Sequence, residues 1–172
     1  NPSQDIELAR YITPYGNTFN SVWSAEWEQD ITDFEGLLKD SIEIDYVHTG
    51  YETNVGRGWV INLSFQLIEG TPIRPYRDIH KLWNSSFIYG NANTPFNTLV
   101  EPMEIQLGAS TESMRMRIMQ SGHGAEPLEL CSEFCPKMRT LSRNGEAYSN
   151  ELVWRDNCGL NPNYPQGGTW IY

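Results

Sequence analysis

Basic charge is what this sequence has least of. Twelve Lys and Arg stand against 22 Asp and Glu, a formal net charge of −10 over 172 residues. Phosphate backbones are gripped by clustered cations, so the balance excludes a nucleic-acid partner. No run of 18 apolar residues occurs, which excludes a helical membrane span. The glycine-rich phosphate loop, the dinucleotide fingerprint and the nucleophile elbow are all missing, so neither nucleotide chemistry nor a serine-hydrolase triad is indicated. There is no signal peptide and no initiating methionine, and Asn1 reads as the start of a processed or excised piece.

Cysteine is scarce and odd in number. Cys131 and Cys135 make a natural pair, and Cys158 is left over with its partner expected outside the chain. With abundant Trp, Tyr, Asn, Thr and Gly, this pattern fits a secreted β-protein. A reduced cytosolic protein with three buried thiols is the alternative.

What is present is a series of short alternating segments broken by turn chemistry. Strands are predicted at 6–12, 42–48, 58–68, 81–90, 100–108, 114–120, 137–143 and 147–154. The clearest is MRMRIMQ at 114–120, with Met114, Met116 and Ile118 on one face and Arg115 and Arg117 on the other. DITDFEGLL at 30–38 carries the best helical hint, a single turn at most. Pro72 and Pro75 make 69–75 the expected domain boundary. Many strands, little helix and frequent Gly/Pro turns predict an all-β, antiparallel jelly-roll or β-sandwich architecture.

Four places carry candidate chemistry. In ELCSEFCPK (129–137) two cysteines four positions apart enclose Glu133. A disulfide is feasible there, because a tight turn brings such Cα atoms within the roughly 4.4–6.8 Å it needs. So short a loop returns only about 2 kcal/mol of stability. Such a crosslink serves better to aim one side chain than to hold a fold, although a stapled surface loop with an incidental glutamate fits too. In HTGYETNVGRGW (48–59), Glu52 lies among Gly50, Gly56 and Gly58, which let backbone approach a ligand closely. An idle, solvated carboxylate is the plainer reading there. In SGHGAEP (121–127), His123 sits between glycines, where a histidine is more often structural than catalytic. A zinc set of His123, Cys131 and Cys135 lacks a second ligand pair apart from Cys158. Copper would use His and Met, but His48, His80 and His123 are isolated, and the alternation of Met114 and Met116 is that of a core face. Two sequons, NLS at 62–64 and NSS at 84–86, match the glycosylation acceptor pattern.

IELARYITPYG, DITDFEGLL, YETNVGRG, FQLIEGTP, SGHG, CSEFC and CGLNP resemble, in order and approximate spacing, segments of the peptide-N-glycosidase F family. The C-x-E-x-C unit after an S-G-x-G strand end is the most specific of them. The resemblance implies two antiparallel jelly-roll domains packed side by side, the first incomplete, with 1–74 in the first and 75–172 in the second. It implies a monomeric, secreted or periplasmic amidase, needing no metal or cofactor, that acts on N-glycoproteins or N-glycopeptides. Such an enzyme hydrolyses the glycosylated asparagine side-chain amide, releasing the N-glycan and leaving Asp. Glu133 and Glu52 fall on the acidic residues that grip the innermost sugars and order the water. His123, Phe134 and Asn54 fall on substrate-contacting positions where a member of the family has tryptophan, which bears on substrate preference. The family's main catalytic aspartate falls upstream of residue 6, and an arginine and the partner of Cys158 fall beyond Tyr172. The chain is therefore expected to be truncated at both ends and inactive alone. A non-catalytic glycan-binding jelly roll, or a copper monooxygenase relative of the same fold, are the rival readings.

Overall fold

A computed structural model describes residues 4–11, 20–48, 58–122 and 134–154, together with the backbone of 170–171. The chain divides into two compact units, one of residues 1–5 and 30–79 and the other of 6–29 and 80–172. Among the described residues, helix is confined to two 3₁₀ turns, Thr32–Phe34 and Phe96–Thr98. The ladders among these residues are antiparallel. The class is all-β.

The first unit is organised by the turn foreshadowed at 30–38. Asp30 accepts the Thr32 amide through its carboxylate (2.8 Å), which satisfies an amide that the turn itself leaves orphaned. A run of i→i−3 bonds then carries the backbone from Phe34 to Leu38. It stops near Asp40, where φ is +57°. The turn buries Phe34, the apolar residue that anchors this unit. Glu35 accepts the backbone amide of Tyr76 (3.3 Å), and the Tyr76 ring lies where a side chain at residue 36 would stand. Gly36 is thus required by close approach.

The second unit carries the ladders. Strand β1 (Gln120–Ser121) pairs with β4 (Trp170–Ile171), and β2 (Lys137–Arg143) pairs with β3 (Glu146–Val153). Asn144 and Gly145, with φ of +53° and +83°, close the β2–β3 hairpin. Positive φ at both central positions gives a turn whose twist matches that of the strands it joins, and Asn-Gly adopts it most readily. Leu141 pairs with Ser149 and Ser142 with Ala147, so Tyr148 is the extra residue of a bulge. The Arg143 guanidinium sits over its ring, 4.4 Å from the centroid. Lys137, Arg139 and Leu141 form the more buried face of β2, opposite the fully buried Val153. Elsewhere Tyr11 and Trp27 pack at 5.5 Å, Phe87 meets Phe96 edge-on at 5.9 Å, and the Trp83 indole donates to the Glu101 carbonyl (2.9 Å).

The strands predicted at 137–143 and 147–154 form. The described residues predicted as strand at 6–12, 42–48, 58–68, 81–90 and 100–108 enter no ladder, and 114–120 contributes only Gln120. Met114 is half-exposed, while Met116, Arg117 and Ile118 are alike in partial burial, so two-faced alternation does not hold there. Alternation marks a segment able to lie on a sheet; the neighbour that completes its hydrogen bonds is a separate requirement. Two-residue and hairpin ladders are what these described residues supply.

Candidate functional site

The residues singled out by the sequence divide sharply. Glu133, Glu52, His123, Asn54 and Cys131 lie outside the described residues, as does Cys158. Phe134 and Cys135 are described. Phe134 is half-exposed, which leaves its ring open to a flat apolar ligand face. Cys135 is partly buried and disulfide-bonded. No group of three or more metal-ligating side chains occurs among the described residues.

Residues 123–133 lie between β1 and β2 in the sequence. The incoming end is β1 and Gly122; the outgoing end is Phe134, Cys135 and β2. Both residues of β1 accept hydrogen bonds from guanidinium groups. Arg139, projecting from the inner face of β2, is bound through Nη2 to Glu151 of β3, and its Nη1 donates to Gln120 Oε1 (3.2 Å). The pairing of Arg139 with Glu151 directly across the hairpin puts the two charges in reach of each other. Ser149 Oγ also donates to Glu151 (3.0 Å). The hydrogen bond from Arg139, then that from Ser149, then the Arg139 charge hold the Glu151 carboxyl below its ordinary value.

Arg10 repeats the scheme from a distant part of the sequence. Its Nε and Nη2 form a bidentate fork to Glu7 (2.6 and 2.7 Å), three residues earlier on the same segment. Its Nη1 then reaches Ser121 Oγ (3.3 Å). The Tyr11 hydroxyl is pushed above its ordinary value by burial. None of Arg10, Gln120, Arg139 and Glu151 was singled out by sequence reasoning. Their only sequence signal is an arginine at an inward position of a strand, which does not name its acceptor.

These features define an all-β protein in which β1, before residue 123, and β2, after Cys135, each stand in an antiparallel ladder. Residues 91–172 match the family model described as peptide-N-glycosidase F, C terminal. The match covers slightly less than half of the chain and supports a relationship to the peptide-N-glycosidase F family over that part. It lies wholly within the second unit and includes His123, Cys131, Glu133, Phe134 and Cys135, but neither Glu52 nor Asn54. No curated protein and no solved structure matches the chain. No helix among the described residues is long and apolar enough to cross a membrane.

Proposed function

We propose that the chain is part of an amidase that hydrolyses the glycosylated asparagine side-chain amide of N-glycoproteins, with Glu133 and Glu52 as its acidic site residues. The observation that carries the reading is the family match across the C-x-E-x-C unit. The disulfide at Cys135 supports it, since a bridge to Cys131 would fix the backbone on both sides of Glu133. That disulfide also favours a secreted or periplasmic location, where such bonds persist. His123, Phe134 and Asn54 are the proposed substrate contacts, and jelly-roll domains over 1–74 and 75–172 the proposed architecture.

The chemistry sets the requirements. A placed water adds to the amide carbonyl carbon and gives a tetrahedral oxyanion. The carbon–nitrogen bond breaks as the nitrogen takes a proton, leaving aspartate and a glycosylamine, which water later converts to free sugar and ammonia. Clustered carboxylates raise one another's pKa, so one stays protonated near neutral pH and serves as acid while another acts as base. Glu133 and Glu52 position sugar and water.

Titration with N,N′-diacetylchitobiose, followed by tryptophan fluorescence, tests this. Saturable binding is expected, weakened roughly tenfold by Glu133→Gln, the loss of one charge-assisted hydrogen bond. An unaffected Glu133→Gln chain would favour the non-catalytic binding reading. Release of the glycan from a glycopeptide, with aspartate left in the peptide, would demonstrate the amidase activity directly.

A further inference from the structure

The tip of the β2–β3 hairpin carries the one Asn-Gly dipeptide in the chain, Asn144-Gly145. Both residues are exposed, and both hold positive φ. The dipeptide that suits this turn also sets an electrophile next to a nucleophile: the Asn144 carboxamide carbon and the Gly145 backbone nitrogen can close a succinimide ring. Other residue types hinder that closure because a side chain stands over the nitrogen. Glycine has none, and the space where a Cβ of residue 145 would stand has no other atom within 4 Å. Among the described residues no side chain holds the Asn144 carboxamide, and no turn hydrogen bond engages the Gly145 amide. Asn150 in β3 is the opposite case. Its carboxamide oxygen accepts the Thr140 hydroxyl (2.7 Å), its backbone lies in the ladder, and glutamate follows it.

We propose that Asn144 is a site of spontaneous conversion to isoaspartate, and that the conversion opens the hairpin tip. The Gly145 nitrogen gives up its proton and bonds to Asn144 Cγ. The Cγ–Nδ2 bond breaks, and ammonia leaves carrying a proton in place of the one lost. Water then opens the ring at either carbonyl. Cleavage of the new N–Cγ bond gives aspartate with the backbone unchanged. Cleavage of the original peptide bond leaves the chain running through Cβ and Cγ, which is isoaspartate. Only water is consumed and only ammonia released. A two-residue loop holds the register of its strands by its length and twist, so an extra backbone carbon there breaks the match. The pairs nearest the tip, Arg143 with Glu146 and Ser142 with Ala147, are the first to part.

The test ages the whole chain at mildly alkaline pH, which favours loss of the amide proton, and follows each asparagine by peptide mass mapping. An isoaspartyl methyltransferase labels the rearranged product. Asn144 should convert severalfold faster than Asn84, which is exposed and followed by serine, while Asn150 stays intact. Hydrogen–deuterium exchange at 142–147 should rise roughly tenfold in the aged chain, the effect of one lost hydrogen bond. Fresh Asn144→Asp, with the same added charge on an ordinary backbone, should exchange like wild type. Asn144→Gly keeps a residue at ease with positive φ and lacks the carboxamide, so ageing should leave its exchange unchanged. Conversion at Asn144 no faster than at Asn84 overturns the site. Isoaspartate at 144 with unchanged exchange at 142–147 overturns the opening. Equal loosening in fresh Asn144→Asp overturns the rerouted backbone as its cause and assigns it to charge.

Discussion

At the scale of single residues, the first unit depends on two side chains and one missing one. Phe34 is 5 % exposed and is filled around by the 3₁₀ turn that carries it. Truncation to alanine should destabilise this unit by about 3–5 kcal/mol, the usual toll for emptying an aromatic site, measured by chemical denaturation. Gly36 is the complementary case. Any Cβ there meets the Tyr76 ring, so Gly36→Ala must displace the ring or the backbone. We expect a loss of ~1–3 kcal/mol, relieved in the double variant with Tyr76→Ala, which removes the obstacle. A sequence shows that residue 36 is glycine but not that tyrosine 76, forty positions away, covers it. The C-x-E-x-C unit is the opposite situation. Its spacing is local, so Glu133 and its flanking cysteines could be singled out directly, and Cys135 is disulfide-bonded.

At the scale of elements, the β2–β3 hairpin is the best-determined piece of the chain. Its strands alternate, and Asn144-Gly145 supplies the two positive φ angles that its turn requires. Gly145→Ala should destabilise the hairpin by ~1–2 kcal/mol, because an L-residue pays a steric penalty at φ of +83°. Cross-strand amide shifts would register the loss. The Arg139–Glu151 pair makes the same hairpin sensitive to acid. The folded-state pKa of Glu151 is depressed, so its contribution is fully present above the ordinary value of 4.5 and is lost as pH falls through the lower folded value. Glu151→Gln should flatten the rise in hydrogen exchange of the β2–β3 hairpin that the wild type shows as pH falls below the ordinary carboxylate value. Persistence of acid-induced loosening in that variant would assign the effect to another group. The alternating segments at 42–48 and 58–68 show where element-level reading stops. Their pattern is as good as that of the hairpin, but a hairpin contains its own partner and these segments do not.

At the scale of the whole molecule, one property follows from that difference. Val60, Leu67 and Ile68 are each more than four-fifths exposed, in a stretch from 58 to 68 that contains no charge and no proline. Uncharged, β-prone and exposed sequence of this kind binds apolar probes and promotes association. A dye that fluoresces on apolar surfaces should brighten strongly with the wild-type chain and less with Val60→Lys or Leu67→Lys. Equal brightness in all three would place the apolar surface elsewhere. The net charge of −10 opposes association, so the dye response should precede precipitation and grow as salt screens the charge.

The sequence by itself determined the all-β class, the single turn at 30–38, the hairpin strands and the short disulfide-prone unit around Glu133. Each of these is fixed by residues within a few positions of one another, where backbone preference and side-chain alternation act directly. Tertiary structure alone decided which alternating segments gained a ladder, that Tyr76 closes over Gly36, and that Arg10 and Arg139 both reach β1. Those outcomes depend on hydrogen-bond partners brought together from distant parts of the chain, and a pattern of residue types specifies the need for a partner without specifying which group supplies it.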